Sequence, residues 1–151
     1  MIEFKEISLE VMEECALLYV ETFNSEPWND KWEFDTAYNR LKDIYYTPGF
    51  YGLAAVEDGI IVAAVFGCTE YWYEGKTYDL KEMFVKNGMR GNGIGSKLLD
   101  TLNTCLLDKG VSFAHLFTAE GDMTEKFYNK NGYKRIDGMI MMSGSIISQS
   151  I

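Results

Sequence analysis

The chain has 151 residues, of which 47% are hydrophobic and 15% aromatic, and its formal net charge at pH 7 is −9. This length is near the most common size of a single domain, and this apolar content can build a packed core, which excludes disordered, collagen-like and coiled-coil proteins. The excess of acidic side chains opposes binding to the phosphate backbone of nucleic acid. We therefore expect one domain over residues 1–151 and no nucleic-acid partner.

The sequence offers no candidate for a membrane-spanning helix, since the longest apolar run without charge, residues 60–68, is about half the length that a bilayer requires. Three of the first six residues, Glu3, Lys5 and Glu6, are charged where a secretion signal would need an apolar stretch. Cys15, Cys68 and Cys105 are odd in number and far apart, which is typical of small core residues. These features predict a cytoplasmic protein without a membrane partner.

The N-terminal third is predicted to hold one strand and two helices. Residues 2–7 alternate between apolar and polar as a strand does, and apolar residues then recur every three or four positions over 9–23 and 34–45. Residues 24–30 between the two helices are predicted to form a loop.

Three strands are expected next. Residues 51–56 and 60–71 are predicted to form an antiparallel hairpin that an Asp-Gly turn closes. A second turn at residues 74–76 returns the chain into a strand over residues 78–86.

The remaining elements are a helix from Ile94 to a stop at Gly110, a strand over 112–118, a helix over 123–130 and a last strand over 133–142. The predicted order is β-α-α-β-β-β-α-β-α-β. An antiparallel run followed by one βαβ crossover implies an α/β (α+β) fold, with a mixed and mostly antiparallel central sheet and helices on both faces.

The strongest functional signal is the loop between the fourth strand and the following helix. It has the sequence Arg90-Gly91-Asn92-Gly93-Ile94-Gly95-Ser96-Lys97. Glycines at alternate positions let the backbone turn and approach a ligand closely. The first amides of a helix lie at the positive end of its dipole, which suits a phosphate or pyrophosphate. We therefore predict an anion-binding cradle, with a tight turn that needs glycine for geometry alone as the alternative.

Two common phosphate-binding motifs do not fit this loop. A P-loop has Lys and then Ser or Thr after its last glycine, whereas Gly95 is followed by Ser96 and then Lys97. A dinucleotide-binding fingerprint would have glycine at position 96 and would lie near the first strand. Nucleotide hydrolysis and dinucleotide binding are therefore disfavoured.

The spacing of Arg90, Gly93 and Gly95 instead resembles the (Gln/Arg)-x-x-Gly-x-(Gly/Ala) signature of the GNAT superfamily of acetyl-CoA-dependent N-acetyltransferases. Residues 80–85 look like the fourth strand of that family, and residues 127–133 look like its closing helix, with a recurrent tyrosine. The element order also matches, so the resemblance covers nearly the whole chain.

The resemblance implies an acyl-CoA N-acyltransferase fold in which the fourth and fifth strands splay and the pantetheine of acetyl-CoA pairs with the backbone of the fourth strand. It implies acetyl-CoA as co-substrate and no metal. The cofactor-binding residues would be Phe84, Val85, Arg90, Gly91, Asn92, Gly93, Ile94, Gly95 and Ser96.

An amine acceptor is mostly protonated at pH 7, so acetyl transfer to it needs a proton acceptor. Simple alternation would put Leu80, Glu82 and Phe84 on one face of the fourth strand, which makes Glu82 a carboxylate among apolar side chains and the candidate base. The family often has a glutamate at this place. Asp79, expected on the opposite face with Lys81, is the reserve candidate, and a simple ion pair is the alternative role for Glu82.

Tyr128 matches the family tyrosine that protonates the departing thiolate, with core packing beside Phe127 as the alternative. The single histidine, His115, lies in an apolar stretch and is expected to be structural, without partners for a metal site.

The acceptor site is predicted at the loop over residues 26–32, with Trp28 and Asp30, together with Tyr73 and Asp79. This loop resembles that of aminoglycoside-type N-acetyltransferases, and a helix corner stabilised by Trp28 is the alternative. We expect transfer of an acetyl group to a primary amine of a small cationic acceptor by direct attack in a ternary complex. The alternative function is a non-catalytic acyl-CoA-binding module, and a homodimer is left open.

Overall fold

The structure is a computed structural model in which residues 1–148 are described. The chain divides into two compact units, Met1–Phe117 and Thr118–Ile151. The expectation of a single domain over the whole chain stays a prediction. Within the described part of the chain, no helix is both long enough and apolar enough to cross a membrane.

The first unit contains a five-stranded sheet, three α-helices and one short 3-10 helix. In chain order these are β1 (Ile2–Glu6), the 3-10 helix (Leu9–Val11), α1 (Met12–Phe23), α2 (Phe34–Tyr45), β2 (Phe50–Glu57), β3 (Ile60–Trp72), β4 (Gly75–Val85), α3 (Ile94–Asp108) and β5 (Val111–His115). The strands lie in the order β1-β2-β3-β4-β5. All neighbours are antiparallel except β4 and β5, which are parallel and joined through α3. The predicted α/β fold with one crossover is confirmed.

The hairpin of β2 and β3 turns at the predicted Asp-Gly pair. Asp58 has φ 51° and Gly59 has φ 79°, the left-handed conformation that a tight two-residue hairpin turn requires at both positions. Both strands are buried along most of their length, because helices cover the sheet on both faces.

Alternate side chains of these strands pack into two different layers. Ala64 and Phe66 belong to one buried cluster with Met12 of α1 and Leu41 of α2. The residue between them, Val65, is also buried, and it faces the other side of the sheet because successive strand residues point to opposite faces. That side is covered by α3, which contacts β2, β3, β4 and β5. The prediction of helices on both faces is confirmed.

One irregularity in β4 changes which of its side chains face each layer. Phe66 of β3 pairs with Glu82, whereas the next residue, Gly67, pairs with Leu80. The extra residue, Lys81, makes a β-bulge, which shifts the alternation of side chains by one position. Glu82 therefore faces the layer of α1 and α2, and Leu80 faces the layer of α3.

The bulge corrects the predicted faces of β4. The expectation that Leu80 shares a face with Glu82 is wrong, and so is the expectation that Asp79 lies on the opposite face. Asp79 pairs with Cys68 of β3, whose thiol lies 3.8 Å from the carbonyl oxygen of Ile44 in α2. Asp79 and Glu82 consequently lie on the same face of the sheet.

Glycine opposite the bulge allows this arrangement. A Cβ atom on Gly67 would lie 2.4 Å from Cζ of Tyr78 and 2.5 Å from the carbonyl oxygen of Asp79. Tyr78 is fully buried and donates a hydrogen bond to the carbonyl oxygen of Tyr51 at 2.7 Å. The Tyr78 ring thus occupies the space beside Gly67, and a side chain there would displace it.

The second unit contains α4 (Thr124–Lys130). Two hydrogen bonds from Arg135 to the carboxylate of Glu125, together with the backbone amide of Gly121, lower the pKa of Glu125 to about 2. The strand predicted over residues 133–142 is wrong, since those described residues form no strand. Gly138 has φ 87°, a left-handed conformation that interrupts an extended strand.

Candidate active site

β4 is longer than its parallel neighbour, and the two strands part midway along β4. Their pairing runs from Lys76 with Val111 to Asp79 with His115, where β5 ends. β4 continues to Val85, and over that length no pairing with β5 is found among the described residues. A strand edge of this kind presents backbone donors and acceptors that can bind a ligand by strand addition.

The glycine loop leads from the end of β4 to the first turn of α3. Gly91 has φ 88° and Gly93 has φ 81°, and no atom lies within 4 Å of the place that a Cβ would take at either residue. The amide of Lys97 donates to the carbonyl oxygen of Gly93 at 3.0 Å. The amides before Lys97 in the first turn have no acceptor within the helix, so their orientation fits a bound anion.

Arg90, at the start of the signature, is held against the loop that follows α1. Its guanidinium carbon lies 5.2 Å from the centroid of the Trp28 ring, and its Nη2 donates to Oδ1 of Asn87 at 2.9 Å. Asn87 in turn donates to Oγ of Ser25 at 3.0 Å. The structure thus brings together Arg90 and Trp28, which the sequence analysis assigned to different binding sites.

The loop between α1 and α2 is an aromatic corner. The Trp28 ring lies edge-on to Phe23 at 4.9 Å, and the Trp32 ring lies edge-on to Tyr19 at 5.0 Å. The carboxylate of Asp30 accepts a hydrogen bond from the indole of Trp32 at 3.1 Å. These contacts agree with the alternative that Trp28 stabilises a helix corner, and they give Asp30 a partner within its own loop.

Glu82 connects β4 to both helices of the covering layer. Its side chain is 13% exposed, and its Oε2 accepts hydrogen bonds from the hydroxyl of Tyr19 at 2.5 Å and from Nε of Arg40 at 2.6 Å. Burial, together with the adjacent carboxylate, raises the pKa of Tyr19 well above its usual range. The ion pair that was the alternative for Glu82 is present, and the role of Glu82 as a base stays a prediction.

We predict that Arg40→Met lowers the free energy of unfolding by about 1–2 kcal/mol, because it removes a charged donor from a largely buried carboxylate while the arginine itself is partly exposed. Urea denaturation measures this change. Lys42→Met on the same helix is the control, and it should change stability by less than about 0.5 kcal/mol. Equal stability of the Arg40→Met variant and the wild-type protein would show that the ion pair contributes nothing.

A second polar cluster lies where β4 and β5 part. Oδ1 of Asp79 lies 3.6 Å from Nε2 of His115, and Oδ2 of Asp79 lies 2.8 Å from the ammonium of Lys81. Glu70 of β3 joins them. One carboxylate oxygen of Glu70, one of Asp79 and one ring nitrogen of His115 all lie within 4.8 Å of one another. On its other side, Nδ1 of His115 lies 3.2 Å from Oγ1 of Thr77.

This cluster corrects the prediction for His115. The expectation that His115 lacks partners for a metal site is wrong, because Glu70 and Asp79 lie beside it. Its side chain is 43% exposed, and the expectation that it is a structural residue stays a prediction. The partners come from β3 and β4, far away in the sequence. Only the register of the sheet, which pairs Glu70 with Thr77 and Asp79 with His115, could have identified them.

Tyr73, predicted to bind the acceptor, lies in the turn between β3 and β4 and is 86% exposed. Trp28 belongs to the aromatic cluster that reaches Phe84. Phe84 lies at the other end of the hairpin that β3 and β4 form. The β3 residues at the two ends, Trp72 and Ala64, are eight residues apart, which is about 26 Å along a strand. The structure does not bring Tyr73 together with the loop of residues 26–32.

Tyr128 lies on α4 in the second unit and is partly buried there. Its ring centroid lies 5.1 Å from that of Phe127 and 5.6 Å from that of Tyr133, and burial raises the pKa of Tyr133. Packing beside Phe127 is therefore present as the alternative described it. The role of Tyr128 as an acid stays a prediction.

Several solved structures share this fold at low sequence identity. A possible acetyltransferase from Clostridium difficile 630 has a TM-score of 0.80 at 15% identity, with 97% of this chain and 99% of that chain covered. An aminoglycoside acetyltransferase from an uncultured soil metagenomic sample, in complex with sisomicin, has a TM-score of 0.75 at 13% identity, with 96% of each chain covered. AAC(6')-Iy in complex with a CoA bisubstrate analog has a TM-score of 0.74 at 14% identity, with 97% and 99% covered.

Comparison of the sequence with curated proteins finds no match. The sequence pattern of the acetyltransferase (GNAT) domain, however, matches residues 48–135, more than half of the chain. The matched region includes the bulged β4, the glycine loop and α4. The prediction of an acetyl-CoA-dependent N-acetyltransferase is thereby confirmed, and the chain belongs to the GNAT acetyltransferase family.

Proposed function

We propose that this protein transfers the acetyl group of acetyl-CoA to a primary amine of a small cationic acceptor, by direct attack in a ternary complex. The observation that carries the proposal is the parting of β4 from β5 after Asp79, followed by the glycine loop and the first turn of α3. A strand edge for an amide-containing arm and an anion cradle thus follow one another along the chain. Both fit the pantetheine and the pyrophosphate of coenzyme A.

The backbone of Phe84 and Val85 would pair with the pantetheine, and the amides from Gly91 to Ser96 would hold the pyrophosphate. Asn92 and the buried Ile94 contribute through their amides in this arrangement. Arg90 carries five N–H donors, so its contacts with Trp28 and Asn87 are compatible with a phosphate contact.

We predict that Gly93→Ala weakens coenzyme A binding at least about tenfold, because a side chain disfavours the left-handed φ of 81° and turns the first amides of α3 away from the anion. Gly88→Ala is a matched control, since Gly88 has φ 86° and equally open surroundings but precedes the signature. Isothermal titration with coenzyme A measures both. Equal affinities of the two variants, with intact circular dichroism, would refute the cradle.

The chemistry requires a proton acceptor for the ammonium of the acceptor and a proton donor for the departing thiolate. Asp79 and Glu82, which face the same side of the sheet, are the candidates for the first role that the sequence predicts. Tyr128 is proposed as the donor. A phenol suits a thiolate because the ordinary pKa values of the two groups are close.

We predict that Tyr128→Phe slows acetyl transfer while the affinity for coenzyme A changes little, because the hydroxyl group is lost and the ring still packs on Phe127 and Tyr133. Steady-state release of free thiol, together with titration of coenzyme A, separates the two quantities. Turnover close to that of the wild-type protein would remove Tyr128 from the mechanism.

A cationic acceptor is supported by the charge around the point where β4 and β5 part. The exposed Glu70 and the half-buried Asp79 lie together there, and neighbouring carboxylates attract ammonium groups. Structural neighbours named as aminoglycoside acetyltransferases support an acceptor with several amines. Trp28 and Asp30 remain proposed acceptor contacts, whereas Tyr73 lies at the far end of the hairpin.

We predict that diamines and polyamines, including aminoglycosides, give higher kcat/KM values than neutral or acidic amines. The preference should weaken as salt rises from about 0.05 to 0.5 M, because screening shortens the range of the attraction. A panel of acceptors, monitored by thiol release and by the mass of the product, tests this. A ranking that favours acidic amines or ignores salt would contradict the cationic acceptor. Coenzyme A binding without thiol release from any acceptor would support the acyl-CoA-binding module instead.

A further inference from the structure

We propose that His115, oriented by Thr77, is the group that accepts the proton of the acceptor's ammonium, and that Glu70 and Asp79 hold this ammonium in place. The inference rests on the proposed acetyl transfer and names the base that this reaction needs. It assigns the chemistry to the cluster where β4 and β5 part, and it gives Glu82 a structural role.

The cluster of Glu70, Asp79 and His115 lies where the open edge of β4 begins. Asp79 and His115 form the last pair between β4 and β5, and the open edge of β4 begins immediately after them. The glycine loop follows the opposite end of that edge, beyond Val85. A pantetheine arm that runs along β4 from the glycine loop would therefore bring the thioester of acetyl-CoA to His115.

The hydroxyl of Thr77 contacts the ring of His115 and bears on its tautomer. Oγ1 of Thr77 lies 3.3 Å from the carbonyl oxygen of Phe113 and 3.2 Å from Nδ1 of His115. The single hydroxyl proton of Thr77 can be donated to only one of these two acceptors. In the proposed arrangement it goes to the carbonyl oxygen of Phe113, and Oγ1 accepts a hydrogen bond from the N–H of Nδ1. Nε2 then carries the lone pair that a base requires.

Nε2 of His115 faces the carboxylates of Asp79 and Glu70. Nε2 of His115 and Oδ1 of Asp79 are 3.6 Å apart, and Glu70 lies beside them. All three are acceptors, so the space between them is suited to a group that brings several N–H donors, such as a primary ammonium. Oδ2 of Asp79 is bound by Lys81, which leaves Oδ1 to face this space.

Glu82 is less suited to the same task. Its Oε2 accepts from two donors, the hydroxyl of Tyr19 and the guanidinium of Arg40. Protonation of this carboxylate would remove the charge that holds Arg40, and the ion pair tying α2 to β4 would be weakened. His115 loses no comparable ion pair when it takes up a proton, because the carboxylates of Glu70 and Asp79 then face a cation.

In the proposed transfer, the amine nitrogen loses two protons and gains the bond to the acetyl carbon. One proton moves from the ammonium nitrogen to Nε2 of His115, and the freed lone pair forms the C–N bond to the thioester carbon. The C–S bond breaks as the amine nitrogen gives its second proton to water. The sulfur takes up one proton from Tyr128, which regains a proton from water, and leaves as a thiol, so that one proton is released in total. Nε2 then returns its proton to water.

We predict that His115→Gln lowers kcat/KM for the best acceptor about 100-fold at neutral pH, with an affinity for coenzyme A within about twofold of the wild-type value. Added imidazole should restore part of the activity. Thr77→Val should lower the rate, and Thr77→Ser should retain it. Glu13→Gln, on the exposed surface of α1, is the control with unchanged rates.

A second variant keeps the test decisive if His115→Gln does not fold. Glu70→Gln should raise KM for the acceptor several-fold and leave kcat nearly unchanged. A wild-type kcat/KM in the folded His115→Gln variant, or a wild-type KM for the acceptor in the Glu70→Gln variant, would overturn the inference while acetyl transfer stands. Activity that EDTA abolishes and Zn²⁺ restores would also overturn it, because the cluster would then bind a metal. Failure of the proposed function is distinguishable, since the wild-type protein would then release no thiol with any amine.

Discussion

A strand that continues past its neighbour must satisfy its backbone hydrogen bonds in another way, and this constraint governs the organisation of the site. β4 passes the end of β5 and carries a bulge at Lys81 just beyond the last pair. The parting supplies an edge for a ligand, and the bulge turns Glu82 toward the helices that cover the sheet. Gly67, opposite the bulge, leaves room for the buried ring of Tyr78 that packs there.

The acidic groups on that face differ in their partners, and the partners decide what each group can do. Glu82 is largely buried and bound by Arg40 and Tyr19, so its charge stabilises the contact between β4 and the two helices. Asp79 is bound by Lys81 on one oxygen and faces His115 with the other. A carboxylate that already accepts two strong hydrogen bonds is a poor base, which favours the role proposed for His115.

Much of the first unit could be predicted from local sequence. The Asp-Gly turn, the apolar stripe of α3 and the glycine loop are each encoded within a few neighbouring residues. The bulge at Lys81 was missed because alternation of side chains assumes a regular strand, and that one error exchanged the faces of Leu80 and Asp79. The partners of His115 were missed because they come from other strands, and only the register of the sheet brings them together. The predicted last strand failed at Gly138, where an apolar pattern meets a left-handed residue.

The most direct test of this account is amide hydrogen exchange of residues 80–85 with and without coenzyme A. These residues form the part of β4 beyond its last pair with β5. If the pantetheine pairs with that edge, coenzyme A should slow exchange in this segment and at the amides of residues 91–96, while β1 on the far edge of the sheet remains unchanged. Protection of residues 91–96 without any protection of 80–85 would contradict the claim that the open edge of β4 holds the substrate.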